Sequence, residues 1–407
     1  MLLAAWAVFR AVQRWLVGPG FGDDPLLYLS YARAWGAGAA PYVDFHPEYP
    51  PAALLLFVVP FLAGGSRYIA MFQAEMALFD FGAVAAVLAF ATRLWPNSVR
   101  RQVGAIAAYL VATAVLNPVL FWRFDIVPAA LTIGALVLAA SRRELAGAAL
   151  LGLGGSFKLW PLALAPLWLG STLQRTGWRR AANEAIAMGV GLSVPLALFV
   201  FRANVGIFGF LQFHSQRALQ LESVWANAQL LLDAFGLSQS RITYDHRAFH
   251  VQGGAMLALR AAARIATLLF VFAPQAIALQ RRLLAAEELP VRAWLVAATA
   301  SVLGLVAAAS VLSPQFMIWI VPLLVLLEAP GIAAAIALAA LTTAIYPVLY
   351  DPLVLRRPPQ YGVALACLSL RNALLLIVYG ALVWRLVRLP PLAAGGGGKA
   401  DIPAAAP

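Results

Sequence analysis

Gly22-Asp23-Asp24-Pro25-Leu26-Leu27-Tyr28, followed shortly by Glu48-Tyr49-Pro50-Pro51, is the stretch around which the rest of the chain is organised. Its two adjacent carboxylates stand just after the first hydrophobic segment of a 407-residue chain that is 63% hydrophobic and only 11% charged. Soluble domains carry roughly 25% charged residues, so this composition describes a protein embedded in lipid, where every charge needs a reason. An acidic pair at the lip of a bilayer either ends and solvates the first span, or offers a general base to a lipid-borne substrate.

Working outward, the apolar runs are rich in Ala and Leu and lack strand-like alternation, which excludes a β-barrel and leaves an all-α polytopic membrane protein. Residues 2–18, 68–94, 103–120, 126–140, 145–157, 159–172, 185–201, 256–279, 293–310, 316–328, 331–349 and 361–386 read as spans. That makes roughly twelve, given that about 20 residues cross the hydrocarbon. Residues 19–67 form a first outer loop, within which Ala52 to Gly64 is too short to cross and reads as a re-entrant or interfacial helix. Residues 202–255 form a second large outer loop, polar and histidine-bearing. Residues 1–390 make one membrane-embedded domain, and 391–407, with Gly395 to Gly398, a disordered cytoplasmic tail. The first segment, carrying Arg10 and Arg14, reads as an uncleaved signal anchor.

Charge sets the orientation. Arg100-Arg101, Arg142-Arg143, Arg179-Arg180 and Arg281-Arg282 all fall in short loops on one side, which is the cytoplasmic bias of a multi-pass plasma-membrane protein with both termini inside. Arginines that fix topology also account for the net charge of +12 without nucleic acid as a partner. Cys367 is the only cysteine, so no internal disulfide forms, and its apolar setting argues against a catalytic thiol.

This topology pools Asp23, Asp24, Asp44, Glu48, Arg123, Asp125, Lys158, the Ser313-Pro314-Gln315 turn and Asp351 on the outer side. Singly, each has a plain use. Lys158 would snorkel to the interface, Asp23 would cap a helix, and Arg123 would pair with Asp125. Tyr49-Pro50-Pro51 would set the entry of a helix. Together, a carboxylate beside Arg and Lys can deprotonate a hydroxyl while the cations hold a phosphate leaving group. His246 and His250 stand four apart, in helical register for a metal, but no Glu motif accompanies them and no metal site is expected. Glu75 and Asp80, inside the second span, must face the bundle interior, in a proton path or in a buried pair.

The ordered series Asp24-Pro25-Leu26-Leu27-Tyr28, Tyr31-Ala32, Gly38, Pro41-Tyr42, Tyr49-Pro50-Pro51, Lys158-Leu159-Trp160-Pro161, Pro166 and Ser313-Pro314-Gln315-Phe316 with Trp319 and Pro322 is similar to one known group. It resembles the polyprenyl-phosphate-dependent membrane glycosyltransferases of the GT-C fold, most closely glycosyltransferase family 87, the α-mannosyltransferase-like group, over roughly residues 20–325. The resemblance implies a polyprenyl-phosphate sugar donor, an acceptor outside the cytoplasm, and an Asp of the first outer loop as base. Asp24, four residues before Tyr28, matches that aspartate best, with Asp23 as competitor.

The expected activity is transfer of mannose or another hexose or pentose to a cell-envelope glycolipid or glycan, with inversion. Lys158 and Arg123 would hold the donor phosphate, and Tyr28, Glu48, Tyr49, Asp125 and Gln315 would contact substrate. A lipid monophosphate donor requires no Asp-x-Asp metal site and no cofactor. The chain departs from the family pattern at Trp122-Arg123-Phe124-Asp125, where many members carry a polar Gly/Gln-Asn turn, so the sugar and acceptor are not carried over. The alternatives are a transporter or a lipid or glycolipid flippase, which would place charges at the midplane and show repeats, or a non-catalytic assembly protein.

Overall fold

The computed structural model describes residues 2–17, 23–203, 206, 208–285 and 290–390. The tail expected to be disordered, 391–407, and parts of the two expected outer loops, 18–22 and 204–207 (206 excepted), lie outside the described residues. In chain order come α1 (Leu2–Val17), α2 (Asp24–Gly36), α3 (Pro51–Gly64), α4 (Tyr68–Leu94), α5 (Val99–Val115) and α6 (Asn117–Leu120). Then follow α7 (Ile126–Ala140), α8 (Glu144–Phe157), α9 (Ala165–Thr176), α10 (Trp178–Ala203), α11 (Gly209–Gln216) and β1 (Leu219–Gln220). After α12 (Val224–Ala234), β2 (Ser240–Asp245) and β3 (Ala248–Gly253), the chain closes with α13 (Met256–Gln280), α14 (Val291–Ala308), α15 (Met317–Leu324), α16 (Glu328–Thr343), α17 (Tyr350–Leu355) and α18 (Gln360–Arg388).

Among the described residues, six helices are long and apolar enough to cross a membrane by length and composition. They are Pro51–Leu94, Trp178–Phe199, Met256–Gln280, Val291–Ala308, Glu328–Val348 and Gln360–Arg388. The first of these joins α3 to α4 through a 3₁₀ turn at Gly65–Arg67. Ile126–Ala140, Glu144–Phe157 and Pro314–Leu324 are apolar but shorter. The run 103–120, expected as one span, instead breaks where Pro118 removes a backbone donor, so α5 ends at Val115 and α6 is a separate turn.

Helices pack here through close backbone approach. A Cβ on Gly152 of α8 would lie 1.9 Å from the Met188 carbonyl oxygen of α10, and one on Gly191 of α10 would lie 1.9 Å from the Ala149 carbonyl oxygen of α8. Only glycine fits at either position, the usual way for helices to associate when both partners and solvent are apolar. Asp80 of α4 faces the interior as expected. It accepts two hydrogen bonds from Arg10 of α1 at 2.8 Å, one from Trp6 and one from Tyr109 of α5. A buried charge in lipid is tolerated when paired and hydrogen-bonded in this way, and the group ties three helices together.

The bundle has two unlike ends. At one, arginines join neighbouring helices: Arg93 with Ser141, Arg101 and Arg292 with Glu328, and Arg175 and Arg180 with Glu144. At the other stand α2, the turns Phe121–Asp125, Lys158–Leu159 and Ala309–Ser313, and the segment 208–255. That last segment, expected as a large polar loop, carries structure of its own. It folds into α11, α12 and a three-stranded antiparallel sheet of order β1-β3-β2, the one sheet among the described residues. Tyr244 opposes Phe249 and Ile242 opposes Val251, while His246 and Arg247 form the two-residue turn, both at positive φ of 45° and 58°. Positive φ at both centre residues matches the turn that follows the right-handed strand twist. His246 and His250 therefore sit on a hairpin and not in helical register.

Candidate active site

At this capped end lies a cavity of about 350 Å³. Its lining takes Asp23, Asp24 and Leu27 from the start of α2, Glu48 and Tyr49 from the loop before α3, Arg123, Lys158, and the Ser313–Phe316 turn. The cap contributes His214, Arg217, Gln220, Glu222, Tyr244, His246, Arg247, Ala248 and Phe249, and the segment after α16 adds Tyr346 and Tyr350.

Local sequence explains each placement. Pro25 suits the first helical turn, so α2 starts at Asp24 and its carboxylate sits at the positive end of the helix dipole. Asp24 Oδ2 lies 2.8 Å from Arg123 Nη2, and both side chains are mostly shielded. Asp23 is exposed and its side chain makes no capping hydrogen bond, so the expected cap is not formed. Lys158 follows α8 in an extended conformation, with Trp160 and Pro161 opening the next turn. Its ammonium donates to Asp125 Oδ1 at 2.7 Å and lies 5.0, 5.7 and 5.5 Å from the ring centres of Phe124, Phe316 and Trp319. Asp125 also accepts from Trp319 Nε1 at 2.7 Å. Lys158 therefore does not snorkel to the interface. It is fixed in the wall by a buried carboxylate and three aromatic faces.

The expected pairing of Arg123 with Asp125 is replaced by two separate pairs, Arg123 with Asp24 and Lys158 with Asp125. Seven of the nine sequence candidates, Asp23, Asp24, Glu48, Tyr49, Arg123, Lys158 and Gln315, line the one cavity. Tyr28 and Asp125 stand behind it instead, 1% exposed each. Tyr28 stacks on Phe57 at 4.1 Å in an aromatic cluster with Tyr49, Phe72 and Phe124, and so shapes the floor. Asp351, in the first turn of α17, is exposed and outside the lining.

Burial raises the proton affinity of Glu48, opposed by the hydrogen bond with Tyr49 and by Arg247 and Arg217. Arg247 Nε stands 3.8 Å from Glu48 Oε2. Burial, with Arg217 and Lys158 nearby, brings His214 down to about 4, so its ring is neutral at pH 7 and Nε2–H donates to the Glu48 carbonyl oxygen at 3.0 Å. Glu222 is pushed up to about 7 by burial, against the pull of Arg371, whose Nη1 lies 3.4 Å from Glu222 Oε2.

Arg217, His214, Gln220, Glu222 and Arg247 were not singled out in the sequence. The only signal was the polar character of residues 202–255, which marks a region and not a residue. Chemically, the cavity offers carboxylates able to take a proton, cations able to meet an anion, and aromatic faces able to meet a sugar ring. No group of three or more metal-ligating side chains gathers among the described residues.

No curated protein sequence is detectably similar to the chain. Among solved structures, ArnT from Cupriavidus metallidurans bound to undecaprenyl phosphate is similar at 16% identity and a TM-score of 0.48, over 94% of this chain and 77% of that one. The Archaeoglobus fulgidus oligosaccharyltransferase tethered to an acceptor peptide is similar at 12% identity and a TM-score of 0.40, over 96% of this chain and 56% of that one. Neither likeness is close enough to carry residue correspondences. Residues 45–287, more than half of the sequence, match Glycosyltransferase family 87. The chain belongs to that family, and it is a membrane glycosyltransferase.

Proposed function

We propose that this chain is a GT-C-type enzyme of roughly twelve membrane passes, allowing for short and tilted ones. It transfers mannose or another hexose or pentose from a polyprenyl-phosphate donor to a hydroxyl of a cell-envelope glycolipid or glycan. The observation that carries this reading is the convergence of Asp24, Arg123 and Lys158 on one cavity at the end of the bundle away from the arginine-rich loops. In the proposed step Asp24 takes the proton of the acceptor hydroxyl, whose oxygen forms the new bond to the anomeric carbon. The bond from that carbon to the phosphate oxygen breaks, polyprenyl phosphate leaves with the electron pair, and configuration inverts. Arg123 orients Asp24, and Lys158 meets the charge that grows on the leaving phosphate.

Purified protein in lipid nanodiscs, given a total envelope lipid extract as acceptor, is expected to transfer labelled mannose from farnesyl-phosphomannose. It is not expected to do so from a nucleotide-linked mannose. Transfer from the nucleotide sugar alone overturns the donor assignment.

The arginine-rich end is proposed to be cytoplasmic, with both termini inside and the cavity outside. Leu237, 74% exposed between α12 and β2, reports on this. A membrane-impermeant maleimide is expected to label Leu237→Cys in a Cys367→Ser background on intact cells. Labelling only after permeabilisation inverts the orientation.

A further inference from the structure

Among the described residues, the cavity wall contains buried polar atoms without a hydrogen-bond partner in the protein. They are Arg217 Nε, Glu222 Oε1 and Gln315 Oε1; His246 Nδ1 is a fourth, but it faces Asp245 Oδ2 at 2.7 Å. Glu222 is 1% exposed and Gln315 8%, so neither oxygen is relieved by bulk water. A buried acceptor left unmade is costly, and a native site holds such groups where a ligand completes them.

The charges are equally uneven. Arg123 and Lys158 each have a carboxylate at 2.8 and 2.7 Å, and Arg247 has Glu48 at 3.8 Å. Arg217 has no carboxylate at ion-pair distance among the described residues, and its one hydrogen-bond partner is Gln220 Oε1 at 3.4 Å. It is the cation of this wall with charge to spare. A monoanion placed against it meets a guanidinium that feels Glu48 only from beyond ion-pair distance, whereas one placed on Arg123 or Lys158 competes with a carboxylate already there.

These unsatisfied groups line the same cavity, and hydrogen bonds link two of them. Gln220, bonded to Arg217, donates to Ser313 Oγ at 2.7 Å, two residues before Gln315. Glu222 follows Gln220 by two residues, and its backbone carbonyl is held by Arg371 at 2.6 Å. A carboxylate accepts, the Gln315 amide pairs with a hydroxyl through either end, and a guanidinium donates to an anion. The complement is a polyol and one negative charge within a single short group.

We propose that Arg217, Glu222 and Gln315 form the subsite for a sugar joined directly to a phosphodiester, with Arg217 as the anchor of its phosphate. This rests on the polyprenyl-phosphate donor reading and assigns the anchoring of the donor phosphate to Arg217, while Arg123 and Lys158 are each held by a carboxylate. Lys158 then acts mainly as the leaving phosphate gains its second charge.

The test is equilibrium binding to the full-length protein in detergent, using farnesyl phosphate, farnesyl-phosphomannose and octyl mannoside as probes. Arg217→Gln is expected to weaken both phosphate probes by about 10-fold or more while leaving octyl mannoside unchanged. Arg217→Lys is expected to retain them within a few-fold, which shows that the site still folds. Gln315→Ala is expected to weaken farnesyl-phosphomannose but not farnesyl phosphate. Wild-type affinity of Arg217→Gln for both phosphates overturns the inference and leaves the donor reading standing. Failure of the wild type to bind either phosphate probe overturns the donor reading, and this inference with it.

Discussion

Replacing Asp24 by Asn is expected to lower sugar transfer by about 100-fold or more, the typical cost of losing a general base. The amide keeps the shape of the side chain and an oxygen for Arg123, so the 2.8 Å contact is weakened but the wall is not emptied. Binding of the donor should therefore survive while turnover falls, which separates loss of basicity from loss of the site. Asp23→Asn is the internal comparison. Its carboxylate is exposed and makes no capping hydrogen bond, so a smaller loss is expected. Transfer rates of the two purified variants decide between them. A larger loss in Asp23→Asn reverses the assignment, and two active variants remove the aspartate base altogether.

The largest structural effect is expected at Lys158. Removing one member of a buried ion pair leaves the other charge uncompensated, at a cost of about 3–5 kcal/mol. The Asp125 side chain is only 2% accessible, and Lys158 supplies its sole cation within 4 Å among the described residues. Lys158→Ala should thus lower thermal stability as well as activity. The double variant Lys158→Ala, Asp125→Asn should regain most of the stability, since the neutral amide keeps an oxygen for the Trp319 indole at 2.7 Å, yet regain no transfer. Thermal-shift measurements beside transfer assays separate the two contributions. A single variant as stable as the wild type shows that the pair does not anchor this wall.

Sequence by itself determined the membrane class, that polar residues gather at one end of the bundle, and the family. Those follow from local quantities: the length of an apolar run, the sign of the charges at its ends, and an ordered series of short motifs. The same series, with the matched family, favours a glycosyltransferase over a transporter or flippase. It also marked Asp24, Arg123, Lys158 and Gln315, because charged and amide groups at span ends are few enough to count.

Tertiary structure alone decided the partners. Arg123 stands two residues from Asp125 in sequence, yet it pairs with Asp24, 99 positions earlier, while Asp125 meets Lys158 and Trp319, 33 and 194 positions on. Which helix end stands beside which depends on close packing such as that of Gly152 and Gly191, and no local pattern encodes it. The cap was illegible for a different reason. Residues 208–255 hold no apolar run long enough to read as a span, so no hydropathy rule singles out a hairpin there. Only the folded chain brings Arg217, Gln220 and Glu222 to the cavity lined by the motifs that the sequence displays.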